Sequence, residues 1–298
     1  MRVLVTGGAG FLGSNIVDAL VERGDLVVAL DDLSTGDRGN LAPDIPFRKV
    51  DVSDEHALDR ALAGEGFDAI VHCASKTKVV ESMEKPDLYR RVIVGGTTNI
   101  ARLAERLHTQ MLVNISTGGA MYGETPVCAN EHKPAEPDSN YGRFKLEAER
   151  IVADADVPSI TLRCANIYGP RQRQDLEGGV IAIFVGCWRN RKPITIYGDG
   201  SAQRDYVYVA DVADAVTSAF ASDRRGVFNI GTGVATSVNQ LVAQLTGLLG
   251  PPPGVINAPA RPVEIQRSCI DPHKAKHDGL WEPTTDIREG LRRTIAVA

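Results

Sequence analysis

The chain of 298 residues has 43% hydrophobic and 24% charged residues and a formal net charge of −5, which is an ordinary globular composition. This composition excludes disordered and fibrous proteins, and the length allows one large domain or two smaller ones. Lysine and arginine form no stripe along the chain, so nucleic acid is not an expected partner.

Short apolar segments alternate with helical patterns over the first 170 residues. Strands are predicted at 3–5, 26–30, 47–50, 69–72, 111–115 and 159–163, and helices at 11–22, 87–107 and 141–153. Continuous Val, Ile and Leu strands that alternate with helices indicate a parallel sheet covered on both faces. The sequence therefore predicts an α/β fold with a doubly wound parallel sheet.

The pattern changes after Gly169 and Pro170. Helices are predicted at 179–189, 209–221, 237–248 and 286–296, with a strand at 194–196 and a loop at 251–254. We expect a first domain at 1–170 and a smaller C-terminal α/β lobe at 171–298. The boundary is soft, because strand-like segments after residue 170 could return to the main sheet.

The chain shows no sign of secretion or metal binding. Its first residues predict a strand rather than a signal peptide, and no apolar run is long enough to span a bilayer. The cysteines are odd in number and scattered, with neither metal-ligand spacing nor a disulfide framework. They are Cys73, Cys128, Cys164, Cys187 and Cys269. The six histidines show no metal spacing either, so we expect a cytoplasmic protein with no metal site and no membrane partner.

A run of three glycines, Gly7, Gly10 and Gly13, lies between a predicted strand and a predicted helix. Glycines there let the backbone turn tightly and approach a pyrophosphate at the helix N-terminus, although an ordinary turn is the alternative. The second strand ends at Asp31, whose carboxylate would bind the adenosine ribose and repel a 2′-phosphate, unless it only opens a polar loop. NAD is therefore the predicted cofactor, in a Rossmann-type first domain.

Further cofactor contacts are expected around this loop and after the next two strands. Asp51 would lie beside the adenine and accept from its amine; the alternative is that it caps the following helix. Small residues after the fourth strand would let the dinucleotide lie against the sheet. The additional predicted contacts are Phe11, Leu12, Val52, Ala74 and Ser75.

Tyr141 and Lys145 are four residues apart on a predicted helix, so their side chains share one face. An ammonium beside a phenol stabilises the phenolate and lowers the pKa of the tyrosine, which suits a general base, and the lysine can also hold the nicotinamide ribose. Such pairs occur often by chance. Here the preceding strand also delivers Ser116 and Thr117, whose hydroxyls could bond a substrate oxygen that changes charge.

Together these motifs resemble the extended short-chain dehydrogenases, and among them the NAD-dependent sugar-nucleotide epimerase/dehydratase family. The resemblance runs almost end to end and is strongest with its UDP-glucose 4-epimerase branch. The segments that carry it are 6–13, 30–36, 72–75, 116–123, 141–145, 163–171, 204–209 and 261–264.

The resemblance implies 4-epimerisation of a UDP-hexose through a transient 4-keto sugar. Tyr141 would take the 4-hydroxyl proton while hydride passes to NAD⁺, and hydride would return to the opposite face after the sugar rotates. Thr117 or Ser116 would hold O4; the family's hydroxyl register is ambiguous here, and we prefer Thr117. Gly118 and Gly119 replace the acid pair of the family's dehydratases, which disfavours loss of water.

The resemblance also implies substrate contacts in the second half of the chain. Asn166, Arg204 and Arg261 would bind the diphosphate, and Glu264 the nucleoside ribose; solvated side chains are the alternative for the arginines. The positions expected near the base, where core packing is the alternative, are Val180, Ile196 and Tyr197. Ser268 stands where related epimerases have a bulky tyrosine, which predicts a pocket open to 2-acetamido sugars.

The motifs also allow two other functions. Another nucleotide-sugar oxidoreductase or epimerase of the same family is the second interpretation. A catalytically silent NAD-binding protein is the third, but it would not need Tyr141 and Lys145. The family pairs its two long helices, here 87–107 and 141–153, across a dimer, which implies a homodimer. Ile93 replaces an asparagine common in the family and puts one contact near the cofactor in doubt.

Overall fold

The alternation of apolar strands and helices continues through the folded chain, and a computed structural model describes residues 1–175, 179–260 and 265–297. The strands are β1 (Arg2–Thr6), β2 (Leu26–Asp31), β3 (Phe47–Lys49), β4 (Ala69–His72), β5 (Met111–Thr117), β6 (Ser159–Cys164), β7 (Asn166–Tyr168), β8 (Ile194–Tyr197), β9 (Gln203–Tyr208), β10 (Gly226–Ile230), β11 (Ala235–Ser237), β12 (Val255–Ala258) and β13 (Arg267–Ser268). The α-helices are α1 (Phe11–Glu22), α2 (Glu55–Ala61), α3 (Val79–Glu84), α4 (Pro86–Arg90), α5 (Gly96–Leu107), α6 (Asn140–Asp154), α7 (Val180–Arg189), α8 (Val209–Phe220), α9 (Val238–Leu249), α10 (His273–His277) and α11 (Ile287–Val297).

Seven parallel strands form the main sheet, in the order β10-β6-β5-β4-β1-β2-β3. The chain builds outward from β1 to β3, then crosses back to place β4 on the other side of β1. This reversal opens a crevice at the carboxyl ends of β1 and β4, where doubly wound sheets bind ligands. The predicted Rossmann-type α/β fold is confirmed.

Both faces of the sheet are apolar because side chains alternate along each strand. Val3 and Val5 pack into the core beneath α1 and α8, whereas Leu4 packs into the core beneath α2 and α5. All three side chains are fully buried. Helices therefore hold the sheet on both sides and leave its strand ends free to form a site.

Beyond residue 170 the chain forms a smaller lobe around β9, which pairs with β7, β11 and β13. Its core packs α7 and α9 against β8 and β9. β10 leaves this lobe and pairs in parallel with β6 at the edge of the main sheet. A strand after residue 170 thus returns to the first domain, and the division at 170 stays an approximate one.

The predicted helix at 87–107 is interrupted by a π-helical turn. α4 continues into this turn, Arg91–Gly95, and then into α5. Ile93 is buried at its centre. Single π turns inside helices are often found near functional sites, because they shift the side chains that follow. Here the neighbouring Val92 lines the cavity described below.

The expectation that the cysteines form no disulfide is wrong for two of the five. Cys128 and Cys269 are disulfide-bonded across 141 residues of sequence, and the bond joins the loop after β5 to the residue that follows β13. Backbone hydrogen bonds align the two segments, from Ala129 N to Cys269 O at 2.9 Å and from Thr125 N to Arg267 O at 3.0 Å. Sequence spacing could not reveal a pair that only this tertiary alignment creates.

Within residues 1–175, 179–260 and 265–297, no helix combines the length and the apolar character needed to cross a membrane.

Candidate active site

A cavity of about 340 Å³ opens at the carboxyl ends of the central strands, in the crevice beside β1 and β4. This volume lies within the range of small-molecule sites. It collects most of the residues predicted from the glycine loop and the tyrosine–lysine helix. Those lining it are Gly7, Gly10, Phe11, Leu12, Asp31, Asp51, Val52, Ala74, Ser75, Ser116, Thr117, Tyr141, Lys145 and Asn166.

The glycine loop leaves no room for larger residues at two of its positions. Gly7 has a φ of +66°, and a Cβ there would lie 2.8 Å from Ala74 N. A Cβ at Gly13 would lie 2.0 Å from Gly7 O. Gly10 caps α1 without any side-chain hydrogen bond to the first turn. The first N–H groups of α1 can therefore serve an anion such as a pyrophosphate, which fits a dinucleotide.

Asp31 and Asp32 differ sharply in their surroundings. Asp31 is buried, and its carboxylate accepts hydrogen bonds from Ala9 N at 3.1 Å and Leu33 N at 2.8 Å. Burial raises the pKa of Asp31, and these hydrogen bonds oppose that effect. Asp32 is exposed and accepts from Ser34 N. Of the two, Asp31 is held rigidly at the cavity, where the sequence places the ribose ligand.

Asp51 serves a turn as well as the cavity. Its Oδ1 accepts from the backbone N and the Oγ of Ser53, both at 2.8 Å. The helix cap considered as the alternative for Asp51 belongs instead to Asp54, which accepts from Ala57 N at the start of α2. Asp51 remains at the cavity wall with one carboxylate oxygen outside these turn contacts.

Thr117, Tyr141 and Lys145 meet at one wall of the cavity. Tyr141 and Thr117 are joined by a side-chain hydrogen bond, and Lys145 Nζ donates to Ile115 O at 2.8 Å. Burial raises the pKa of Tyr141 to about 12, which the Thr117 hydrogen bond opposes only in part. Burial also lowers the pKa of Lys145 to about 8. The lowering expected for the tyrosine is thus outweighed by desolvation.

Ser116 and Thr117 make hydrogen bonds with different residues of α6. Ser116 is buried and donates at 2.5 Å to Oε1 of Glu149, which follows Tyr141 by eight residues on α6. Thr117 faces Tyr141. Because the Ser116 hydroxyl is already engaged, the geometry favours Thr117 for a substrate oxygen.

Gly118 has a steric reason to be glycine, and Gly119 adjoins two predicted substrate residues. A Cβ at Gly118 would lie 2.8 Å from Ile270 Cγ2, so an acidic side chain would not fit there without displacing it. A Cβ at Gly119 would lie 3.4 Å from Asn166 Oδ1 and 3.9 Å from Ser268 Oγ. The space beside Gly119 is therefore shared with two predicted substrate residues.

The second lobe brings part of the predicted substrate set together. β7 and β13 both pair with β9, which places Ser268 opposite Arg204 and Asn166 opposite Tyr206, two residues further along β9. Val180 begins α7, Ile196 is buried in the core of the lobe, and Tyr197 is 41% exposed. Arg261 and Glu264 lie outside the described residues, so their predicted roles stay predictions.

Two polar residues at or beside the site were not predicted. His72 is buried at the end of β4, with Nδ1 2.8 Å from Thr6 Oγ1 and Nε2 3.1 Å from Thr97 Oγ1. Burial, followed by the charge of Lys145, lowers its pKa to about 3. His72 lies behind the cavity wall, whereas Arg173 lines the cavity and donates to Thr35 O, linking the two lobes. A buried histidine and a loop arginine carry no sequence pattern that distinguishes them from ordinary ones.

In the part of the chain that the structure describes, no three His, Cys, Asp or Glu side chains are grouped so that they could hold a metal ion.

Comparison with known proteins identifies relatives along the whole chain. The profile of the NAD dependent epimerase/dehydratase family matches residues 3–231. A UDP-glucose 4-epimerase of Mycolicibacterium smegmatis is 37% identical over 308 residues, covering 99% of this chain and 97% of that protein. The structure of the Thermus thermophilus UDP-glucose 4-epimerase in complex with NAD superposes with a TM-score of 0.94 at 38% identity, covering 99% of this chain and 98% of that one. The structure of the Thermotoga maritima UDP-glucose 4-epimerase with UDP-glucose superposes with a TM-score of 0.95 at 35% identity, covering 100% of this chain and 98% of that one.

Proposed function

The chain belongs to the NAD-dependent epimerase/dehydratase family, and we propose that it interconverts the C4 epimers UDP-glucose and UDP-galactose, with NAD as its cofactor. The observation that carries the proposal is the meeting of Thr117, Tyr141 and Lys145 at the wall of the cavity that the glycine loop closes. Similarity to UDP-glucose 4-epimerases over nearly the full chain supports it.

The cavity suits NAD on chemical grounds. The pyrophosphate fits at the N-terminus of α1, where Gly7 and Gly10 have no side chains to obstruct it. The carboxylate of Asp31 can accept hydrogen bonds from two ribose hydroxyls and would repel a 2′-phosphate. Asp51, Ala74 and the other predicted contacts would surround the adenosine and nicotinamide halves. Bound NAD supplies the acceptor for the C4 hydride and, once reduced, the donor that returns it.

In this proposal the protein moves one proton and orients the sugar. Tyr141 as phenolate removes the proton from the 4-hydroxyl as C4 becomes a ketone, and Thr117 hydrogen-bonds O4. The Lys145 ammonium favours the phenolate and binds the nicotinamide ribose. The 4-keto sugar then turns about its bond to the diphosphate, and Tyr141 returns the proton as C4 is reduced from the opposite face.

The second lobe would hold the UDP moiety. We assign Asn166, Arg204 and Arg261 to the diphosphate, because guanidinium groups match phosphate oxygens in a bidentate manner. Glu264 would bind the ribose, and Val180 and Tyr197 would lie near the base. Ile196, which is buried with the core of the lobe, would act there by supporting its neighbours.

A homodimer is part of the proposal. Val79 and Met83 of α3 are 39% and 53% exposed, and Asn140 N at the start of α6 lies 3.4 Å from Met83 Sδ. An exposed apolar strip beside α6 suits a contact between two copies of the helices that this family pairs.

The cytoplasm is the proposed location, although the Cys128–Cys269 disulfide gives it no support.

The function is tested by incubating the purified protein with UDP-galactose and no added NAD. An epimerase regenerates its cofactor in each turnover, so UDP-glucose should form catalytically without accumulation of NADH. Stoichiometric NADH without UDP-glucose would instead indicate a net dehydrogenase of the same family. A panel of other nucleotide sugars, analysed for C4 epimers, then defines the preferred sugar.

Ser268 should determine whether 2-acetamido sugars are accepted. It is buried near Gly119, and we infer that its small side chain leaves space at the sugar C2 group that a tyrosine would fill. The parent protein should epimerise UDP-N-acetylglucosamine, and Ser268→Tyr should lower kcat/KM for that sugar by roughly 10- to 100-fold while UDP-glucose is still turned over. Failure of both proteins on UDP-N-acetylglucosamine, with UDP-glucose processed, would count against a roomy pocket.

A further inference from the structure

Behind the catalytic wall lies a buried polar cluster that the proposed mechanism does not use. We call it the Glu149 cluster and define it as Ser116, Tyr122, Glu149, Arg163 and Asn229. All five residues are less than 9% exposed, although Glu149 and Arg163 carry opposite charges. The cluster joins α6 to β5, β6, β10 and the loop that follows Gly118 and Gly119.

Each side chain of the Glu149 cluster is hydrogen-bonded to at least one other member. Arg163 donates through Nε and Nη2 to both oxygens of Glu149, the shortest contact being 2.6 Å. Ser116 Oγ donates to Glu149 Oε1 at 2.5 Å. Arg163 Nη1 donates to the Tyr122 hydroxyl at 2.8 Å, and that hydroxyl donates to Asn229 Oδ1 at 3.0 Å.

A gain in stability does not by itself explain why Glu149 and Arg163 are paired in the core. Two charges lose much hydration when they are buried, and well-packed apolar side chains of the same volume often stabilise a fold equally well. The position of the pair is more informative. Glu149 follows Lys145 by one helical turn on α6, and Ser116 directly precedes Thr117 on β5. Two hydrogen bonds, Lys145 to Ile115 O and Ser116 to Glu149, therefore tie α6 to the end of β5.

We propose that Glu149, oriented by Arg163, is a positioning residue that holds Thr117 in register with Tyr141 and Lys145. The role rests on the proposed function, because it concerns the same reaction. Glu149 does not line the cavity, and in this proposal it acts through Ser116 and Lys145. Its carboxylate also adds a fixed negative charge close to the Lys145 ammonium.

The negative charge of Glu149 raises the pKa of Lys145. The titratable groups facing Lys145 come from α6, from β6, and from the end of β4 with the residue that follows it. They are Tyr141, Glu149, His72, Cys73 and Cys164. Burial raises the pKa of Cys164 to about 12 and that of Cys73 further, so both thiols are neutral at neutral pH, and burial keeps His72 neutral as well. Glu149, paired with Arg163, is thus the carboxylate that opposes the lowering of the Lys145 pKa to about 8. Without it, the ammonium should be lost at lower pH.

Two variants of the NAD-loaded protein test this role. Glu149→Gln keeps the shape and removes the charge; Ser116→Ala keeps the ion pair and removes the tie to β5. We expect Glu149→Gln to move the titration of Lys145 to lower pH by at least half a unit. The titration is followed by NMR of the Lys145 ε-methylene group, and Lys145→Arg identifies its signal. The alkaline limb of kcat should move with the titration. Ser116→Ala should lower kcat about tenfold and leave unchanged both the titration of Lys145 and the KM for the UDP-sugar. Glu149→Asp, which keeps the carboxylate, should show the parental titration of Lys145.

The role is overturned by a folded Glu149→Gln protein in which Lys145 titrates as in the parent, or by Ser116→Ala with the parental kcat. If Glu149→Gln does not fold, Ser116→Ala still decides the matter, because it leaves no buried charge unpaired. The NMR titration does not depend on turnover. A parent protein without epimerase activity would therefore refute the proposed function separately from the effect of Glu149 on Lys145.

Discussion

Tyr141→Phe should lower kcat for UDP-galactose by about 10²- to 10⁴-fold, the range expected when a general base is removed. The substitution deletes the phenol oxygen that is hydrogen-bonded to Thr117 and leaves no side chain at that point to take the 4-hydroxyl proton. The ring itself packs against a small apolar cluster with Tyr89, Ile93 and Ala148, so phenylalanine should retain the fold. The variant should therefore purify with its full content of NAD.

Kinetics and cofactor content together check this expectation. Turnover is followed as UDP-glucose formed from UDP-galactose, and NAD is extracted and quantified from the denatured protein. Tyr168→Phe is a matched control, because it removes a buried phenol oxygen that bonds Ile287 O away from the cavity. It should cost about 1 kcal/mol of stability and leave kcat unchanged. Parental activity in Tyr141→Phe would remove Tyr141 as the base.

Much of the first domain could be predicted because local signals there agree with the tertiary structure. α1 begins and ends as predicted at 11–22, since Gly10 precedes it and Gly24 follows it with a φ of +89°. β4 likewise matches its prediction at 69–72. Where a segment is buried on both faces, its apolar run is continuous and the strand is evident from sequence alone.

The second lobe was less predictable because most of its strands are short. β9 begins with the polar residues Gln203, Arg204 and Asp205, so only its second half is apolar. Asp205 is nevertheless buried, because it accepts hydrogen bonds from Thr232 and Gly233 on the adjoining segment. Such a strand is recognised only once its partners are known. β10 was missed for a related reason, since it pairs with a strand more than sixty residues earlier in the chain.

The site shows the same division between local and distant information. The pairing of Tyr141 with Lys145 follows from helical spacing and could be predicted. The choice between Ser116 and Thr117 could not, because it depends on Glu149, a residue 33 positions away from Ser116. The pKa of Tyr141 was also expected in the wrong direction, since burial, which a sequence does not reveal, dominates it.

Gly13→Ala should have the largest effect of any single-methyl addition at the cofactor loop. The new Cβ would lie 2.0 Å from Gly7 O and 2.7 Å from Gly7 C, and both atoms belong to the backbone. No rotamer change can relieve that overlap, so α1 must move away from the loop or the loop must open. We expect a loss of at least about 3 kcal/mol of stability, at or beyond the usual upper end for overpacking, and nearly complete loss of bound NAD.

A second helical glycine separates this steric effect from the general effect of adding a methyl group. Gly247 lies on the exposed side of α9, and a Cβ there would meet no atom within 4 Å. Gly247→Ala should stabilise the protein by about 0.5–1 kcal/mol, because alanine favours helix, and leave its NAD content unchanged. Denaturant unfolding and cofactor extraction compare the two variants directly. Parental stability and NAD content in Gly13→Ala would mean that α1 does not press against the loop, and the dinucleotide site would then need another explanation.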